Sequence, residues 1–139
     1  MKNKLNCILL VDDDEDCNFF HKRLFEKAEC AEQIFVAENG MEALSFLNST
    51  VEGKHPHPAL IFLDINMPKM NGWEFLNEYK KLDDTLKAKI VVVMLTTSLN
   101  PDDRNKASNI TEIKGFHNKY LTKDSIDKVL KEHFPTLIG

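Results

Sequence analysis

Asp64 is the residue whose neighbours most clearly predict chemistry. It ends an apolar run, Ala59 to Leu63, and a turn containing Pro68 and Gly72 follows it. A continuous apolar run that ends in a charge before Pro and Gly is typical of a buried parallel strand. Open α/β sheets bind ligands outside the carboxyl ends of such strands. We therefore expect Asp64 to be presented at a functional edge of a sheet.

Other polar residues also end runs that read as strands. Asp12 and Asp13 follow the run that ends at Val11, Thr96 ends the most apolar run in the chain, and Lys119 ends a weaker candidate strand. The carboxyl ends of parallel strands lie at one edge of a sheet. Residues far apart in sequence should therefore meet there as three carboxylates, a hydroxyl and an ammonium group.

Clustered carboxylates require a cation. Two like charges ~4 Å apart repel by about 1 kcal/mol in water and by about 4 kcal/mol at an effective dielectric constant of about 20. Mg²⁺ prefers such hard oxygen ligands and keeps positions open for phosphate oxygens. Asp64 beside Mg²⁺ would attack a phosphorus atom in line and form an aspartyl phosphate. Lys119 would offset charge on the transferring group, and Thr96 would donate a hydrogen bond to it.

The elements that position these residues alternate between strand and helix. The predicted strands are Ile8–Val11, Gln33–Glu38, Ala59–Asp64, Ile90–Leu95 and Ile113–Tyr120. The last of these is diluted by polar residues and Gly. Alternation of this kind predicts a parallel sheet covered by helices on both faces.

Helical spacing of apolar residues marks the segments between the strands. The predicted helical residues are Phe19, Phe20, Leu24 and Phe25; Ala43, Leu44 and Leu47, after a turn at Asn39-Gly40; Phe75, Leu76, Tyr79 and Leu82; and Ile126, Val129, Leu130 and Phe134, after a cap at Thr122. Asn100 and Pro101 signal a further helix start, with acids in its first turn. Asp14, Glu15 and Asp16 read as first-turn acids of the first helix.

Composition is that of one globular domain, residues 1–139 with a core of about 7–134. The chain has 139 residues and a net charge of -4, and no Lys/Arg cluster exceeds a pair, which disfavours nucleic-acid binding. No run approaches the ~20 apolar residues of a membrane span, and the apolar stretch before Asp12 is too short for a signal peptide, so we expect none. We expect a cytoplasmic protein whose three cysteines are free, buried or half-buried thiols.

The motifs resemble one family. The segment Asp64–Gly72 reads Asp-x-x-Met-Pro-x-Met-x-Gly, and together with Leu9–Asp13, Leu95–Ser98 and Lys119 it resembles the receiver domain of two-component response regulators. The resemblance covers about Cys7 to Phe134 and is to a stand-alone, chemotaxis-regulator-like receiver. It implies a doubly wound, five-stranded flavodoxin-like sheet in the order 2-1-3-4-5.

The resemblance also implies roles for the site residues. Asp64 would take a phosphoryl group from the phosphohistidine of a sensor histidine kinase. Asp13, Asp64 and the main-chain carbonyl of Asn66 would ligate Mg²⁺, and Asp12 would help through water. The chain would be a signalling module and not an enzyme.

Signal output is implied by a switch pair. Thr96 and Phe116 match the family's switch residues, a threonine that moves toward the phosphate and an aromatic ring that turns inward. The partner would be a downstream protein or a histidine phosphotransfer protein. The face formed by the fourth helix, fifth strand and fifth helix would bind that partner or form a homodimer.

One position departs from the family pattern. Tyr120 follows Lys119 where the family usually has proline with a cis bond. A cis non-proline bond costs ~2.5–4 kcal/mol, so we favour a trans bond. Lys114 and Lys123 are competing candidates for the site lysine, but the spacing from Phe116 fits Lys119.

Two other functions remain open. A Mg²⁺-dependent phosphatase using Asp64 would usually carry a second Asp two residues later, where this chain has Asn66, and a cap domain. A degenerate receiver would serve only as a docking module. The histidines predict no site: His55 and His57 share a solvated loop, and His21, His117 and His133 are interpreted as structural.

Overall fold

A parallel sheet forms the centre of the computed structural model, which describes residues 4–50, 52–67, 69–83, 86, 91–96 and 101–134. The strands are β1 (Leu5–Val11), β2 (Ala31–Ala37), β3 (Leu60–Asp64), β4 (Val91–Thr96) and β5 (Ile113–Asn118). Their order is β2-β1-β3-β4-β5, and all neighbouring strands are parallel. The predicted strand order 2-1-3-4-5 is therefore confirmed.

Helices cover both faces of this sheet. They are α1 (Glu15–Ala28), α2 (Gly40–Asn48), α3 (Gly72–Lys80), α4 (Pro101–Ser108) and α5 (Lys123–His133). On one face, α2, α3 and α4 pack through Ala43, Phe75 and Ala107 against a core that includes Leu9 and Ile61. On the other, α1 and α5 pack through Phe25 and Val129 against a core that includes Leu10 and Phe62. The central strands are apolar throughout because both of their faces are buried, and the doubly wound fold is confirmed.

The helix starts follow the predicted capping signals with two differences. Asp14, predicted as a first-turn acid, is instead the N-cap of α1, because its side chain accepts the N–H groups of Asp16 and Cys17. Thr122 caps α5, and α4 begins at Pro101 with two acids in its first turn. Asn39-Gly40, predicted as a turn, is instead the start of α2, because the Asn39 side chain accepts the Glu42 N–H at 2.9 Å. Pro68, Thr97, Ser98 and Asn100 lie outside the described residues.

Helix α1 buries a different stripe from the one that its phenylalanines suggest. Phe19 and Phe20 are 64% and 54% exposed. The buried residues are Cys17, Asn18, His21 and Phe25. These residues share one face because helix positions four apart lie one above the other. The side chains of Asn18 and His21 therefore lie on the buried face of α1.

Strand β5 contains an irregularity that explains its weak sequence signal. Val92 pairs with Ile113 and Val93 with Gly115, so the pairing skips the exposed Lys114. Such a bulge reverses which side chains face each side of the sheet beyond it. Phe116 consequently pairs with Met94 and packs on the α2–α4 side. Within the described ranges, no helix is long and apolar enough to cross a bilayer.

Candidate functional site

The predicted polar residues meet at the carboxyl edge of the sheet. Val11 of β1 pairs with Leu63 of β3, which puts Asp12 and Asp64 at the ends of adjacent strands. Thr96 at the end of β4 pairs with Asn118 at the end of β5. Asp13 follows Asp12, and Lys119 follows Asn118. Four parallel strands thus deliver all of these residues to one edge.

Three aspartates form a tight oxygen cluster there. One carboxylate oxygen from each of Asp12, Asp13 and Asp64 lies within 4.8 Å of the other two. Asp12 and Asp64 are buried, whereas Asp13 is exposed. The cluster is therefore open to solvent on the Asp13 side and enclosed on the other.

Lys119 bridges the two buried carboxylates. Its Nζ lies 3.3 Å from Asp12 Oδ1 and 3.4 Å from Asp64 Oδ2. Lys114 and Lys123, the other candidates, have exposed side chains. Among these three lysines, Lys119 is the one that the structure brings to the cluster.

Charge in the cluster shifts the pKa values of its members. Burial, reinforced by the Asp12 carboxylate, raises the pKa of Asp64 to about 6, although Lys119 opposes the shift. Burial alone would lower the pKa of Lys119, but the Asp12 and Asp64 carboxylates outweigh it and raise that pKa. One ammonium group therefore compensates the buried carboxylates only in part.

The donor set of the cluster fits a hard divalent cation. Asp12 Oδ1 accepts the Asp14 N–H at 3.0 Å, but the buried Asp12 Oδ2 has no hydrogen-bond partner. A buried, unpaired carboxylate oxygen is costly unless a donor or a cation satisfies it. The residues present, three carboxylates with one orphaned oxygen, are those that Mg²⁺ or a similar ion takes as ligands.

The loop after β3 returns closely onto Asp64. Gly72 donates its N–H to the Ile65 carbonyl at 2.8 Å. A Cβ at Gly72 would lie only 2.6 Å from the Asp64 carbonyl oxygen, so the loop closes only around glycine. Asn66 lies in this loop with its side chain exposed. Its predicted metal contact through the main-chain carbonyl stays a prediction.

The predicted switch residues occupy neighbouring strands. Thr96 is buried, and its carbonyl accepts the Lys119 N–H at 2.9 Å. Phe116 is half-buried, and the Arg104 guanidinium lies 5.4 Å from its ring centre. An arginine over an aromatic ring at this distance is a cation–π contact. Helix α4 is therefore tied directly to the predicted switch ring.

The segment after Lys119 has the predicted backbone. No cis peptide bond occurs in the described residues, so the Lys119–Tyr120 bond is trans. The Tyr120 N–H donates to Asn118 Oδ1 at 2.8 Å, and the Tyr120 side chain is 65% exposed. Hydrogen bonds thus shape this turn in the absence of proline.

Two residues near the site were not predicted from the sequence. Asn18 Nδ2 donates to the Asp12 carbonyl at 2.8 Å and holds the end of β1. His21, interpreted as structural, accepts the Leu121 N–H through Nε2 at 3.3 Å, a contact that the sequence did not predict. The available signal was the spacing of Cys17, His21 and Phe25, four residues apart, which marks one buried face of α1.

Comparison with known proteins agrees with this fold. The family described as "Response regulator receiver domain" matches residues 8–133. The chain therefore belongs to the response regulator receiver family.

Individual relatives are similar over nearly the whole chain. Response regulator Rcp1 of Synechocystis is 35% identical over 99% of this chain and 87% of its own length. Chemotaxis protein CheY1 of Helicobacter pylori is 29% identical over 95% of this chain and 96% of its own.

Solved structures show the same similarity. A two component response regulator from Cytophaga hutchinsonii is 30% identical, with a TM-score of 0.84 over 96% of this chain and 99% of its own. A structure of the Mn(2+)-bound form of Rcp1 has a TM-score of 0.68 at 31% identity, over 94% of each chain.

Proposed function

We propose that this receiver domain accepts a phosphoryl group on Asp64 from a sensor histidine kinase and signals through the state that results. The observation that carries the proposal is the position of the Asp64 carboxylate, buried at the end of β3 among two further aspartates and Lys119. A carboxylate held between a cation site and an ammonium group is suited to attack phosphorus.

The proposed step exchanges one bond for another. An Asp64 oxygen forms a bond to phosphorus while the bond from phosphorus to the donor's imidazole nitrogen breaks, and that nitrogen takes up a proton. Asp12, Asp13, Asp64 and the Asn66 carbonyl would hold Mg²⁺, and the bound ion would neutralise charge on the phosphoryl oxygens. Lys119 would leave its contact with Asp64 to pair with one of these oxygens, and Thr96 would donate a hydrogen bond to another.

Ionisation of Asp64 supports this role. Its pKa of about 6 leaves the carboxylate ionised at neutral pH, which a nucleophile requires, while burial keeps it poorly solvated. The unpaired Asp12 Oδ2 supports a metal site beside it. The Mn²⁺-bound form of the relative Rcp1 supports a divalent ion in the same family.

Output is proposed to run through Thr96 and Phe116 to the face formed by α4, β5 and α5. The contact between Arg104 and the Phe116 ring supports this path, because an inward turn of the ring would release α4. The partner would be a downstream protein, a histidine phosphotransfer protein or a second copy of the chain. A cytoplasmic location suits the buried, free thiols of Cys7, Cys17 and Cys30.

Intact mass spectrometry tests the proposal. The protein is incubated with a small phosphodonor such as acetyl phosphate, with and without Mg²⁺. We expect a gain of one phosphoryl group that requires Mg²⁺ and is absent in Asp64→Asn. The matched control is Asp124→Asn, the same change at an exposed aspartate of α5, and it should label like the wild type.

The other outcomes discriminate between the alternatives. Labelling that persists in Asp64→Asn contradicts the assignment of the acceptor. Rapid, repeated release of phosphate would indicate a phosphatase, and no reaction at all would indicate a docking module.

A further inference from the structure

A buried histidine lies behind the turn that carries Lys119. His21 is 2% exposed, on the face of α1 that packs against the sheet. A buried polar ring is costly unless it is hydrogen-bonded, so its partners indicate why it is there. Its Nε2 accepts the N–H of Leu121, a residue 100 positions away.

Both backbone polar groups of Lys119 form hydrogen bonds. The Lys119 N–H donates to the Thr96 carbonyl at 2.9 Å, and the Lys119 carbonyl accepts the Leu121 N–H at 3.1 Å. The Leu121 N–H is therefore shared between the Lys119 carbonyl and His21. Leu121 itself is 1% exposed, so its N–H has no access to water as a substitute partner.

The side chains of the turn alternate in direction. Lys119 reaches the aspartate cluster, Tyr120 is 65% exposed, and Leu121 packs into the core formed with α1 and α5. Tyr120 does not restrict φ as a proline would, and its exposed ring anchors nothing in the core. Hydrogen bonds and the Leu121 side chain hold the turn, and its partners from other elements are the Thr96 carbonyl and the His21 ring.

The contact with the Leu121 N–H constrains the protonation state of the His21 ring. Nε2 can accept only in the neutral imidazole, with the ring proton on Nδ1. Burial lowers the pKa of His21, although the Asp12 carboxylate and the Lys119 backbone oppose this. The Cys17 thiol lies 3.6 Å from Nε2, and burial raises the pKa of that thiol to about 12, so it stays protonated and adds no charge.

From these contacts we propose that His21 is a positioning residue for phosphoryl transfer: by accepting the Leu121 N–H it holds the turn so that Lys119 Nζ spans Asp12 and Asp64. The inference rests on the proposed function, in which Lys119 pairs with the transferring group. An error of ~1 Å in the position of a catalytic group can cost about 100-fold in rate. In a turn that lacks proline, the hydrogen bond from Leu121 to His21 of α1 would fix the backbone that carries Lys119.

The test is a double-mutant cycle on the rate of adduct formation at saturating acetyl phosphate and Mg²⁺. The four proteins are the wild type, His21→Leu, Lys119→Met and the double variant. We expect His21→Leu to slow the reaction ~10-fold and Lys119→Met to slow it more, as misplacement and loss of one group should. Because His21 acts through Lys119, the double variant should be no slower than Lys119→Met alone.

Two further variants separate positioning from stability. His21→Gln can offer an acceptor oxygen near the position of Nε2 and should restore most of the rate. Phe25→Leu, one turn along α1, weakens packing against Phe62 but removes no hydrogen bond of the turn, and it should leave the rate unchanged. Amide exchange of Leu121 should accelerate in His21→Leu and not in Phe25→Leu.

Mg²⁺ affinity distinguishes failure of this inference from failure of the proposed function. Lys119 Nζ competes with a cation for two carboxylates, so displacing it should tighten Mg²⁺ binding whether or not an adduct forms. If the wild type forms no adduct but His21→Leu shifts Mg²⁺ affinity toward that of Lys119→Met, the positioning role stands and phosphoryl acceptance fails. Multiplicative rate losses in the double variant, or unchanged Leu121 exchange and Mg²⁺ affinity in His21→Leu, would overturn the positioning role.

Discussion

Replacing the acceptor Asp64 with Asn should stabilise the protein near neutral pH when no metal is present. Asp64 is 3% exposed, and its pKa rises from 3.8 to about 6 on folding, through burial first and Asp12 second. The native state therefore binds this proton more tightly than the unfolded chain does. The associated stabilisation is fully present below about pH 3.8 and is lost as the pH rises through about 6.

The size of the effect follows from the shift. Each pKa unit corresponds to ~1.36 kcal/mol. A shift of about two units therefore lowers the free energy of unfolding by ~3 kcal/mol when Asp64 is ionised rather than protonated. Asn keeps the shape and carries no charge, so Asp64→Asn should gain up to ~3 kcal/mol at about pH 7. For a chain of this length that is a rise of about 10 °C in Tm.

The assay is urea or thermal unfolding of both proteins with a chelator, at a series of pH values from about 3.5 to about 8. The difference in free energy of unfolding should be near zero at the acid end and grow as the pH rises. The exposed Asp124→Asn change should stay within about 0.5 kcal/mol of the wild type throughout. An Asp64→Asn protein that is no more stable at neutral pH, or a difference that does not depend on pH, refutes the electrostatic reasoning.

Three further predictions follow from the contacts around the site. Gly72→Ala should lower the free energy of unfolding by ~2 kcal/mol and slow adduct formation, because its Cβ would press on the Asp64 carbonyl; chemical denaturation and the mass assay measure the two effects. Asn71→Ala should cost about 1 kcal/mol in denaturation, since it removes the capping box of α3. Lys119→Met should tighten Mg²⁺ binding in calorimetry, because an ammonium no longer competes for Asp12 and Asp64; unchanged affinity would contradict the bridge.

The strands could be predicted because burial on both faces leaves a simple signal, whereas their order was implied by the resemblance to the receiver family. The runs around Leu9, Ile61 and Val93 are apolar without alternation, and all three side chains are fully buried. Each run ends at a polar residue, so parallel pairing alone brings those polar residues together. The position of the site at the carboxyl edge could therefore be predicted from the parallel α/β fold class.

Elements at the periphery were harder to predict. Strand β5 forms one edge of the sheet, and its bulge at Lys114 reverses the direction of later side chains in a way that no alternating pattern reveals. The choice of Lys119 over Lys114 and Lys123 depended on family spacing and is now supported by contacts to Asp12 and Asp64. The single domain over residues 1–139 stays a prediction.

Helix α1 shows why hydrophobicity alone does not identify the buried face of a helix. Phe19 and Phe20 are the most hydrophobic residues of its first turns, yet both are exposed, while Asn18 and His21 are buried. Most buried polar side chains have a hydrogen-bond partner, and the partners of Asn18 Nδ2 and His21 Nε2 are the Asp12 carbonyl and the Leu121 N–H. The second of these comes from the far end of the chain and exists only once the sheet has assembled. A polar residue at the spacing of a buried helical face is therefore evidence for a hydrogen-bond partner, and the partner of His21 lies beside the lysine on which phosphoryl transfer is proposed to depend.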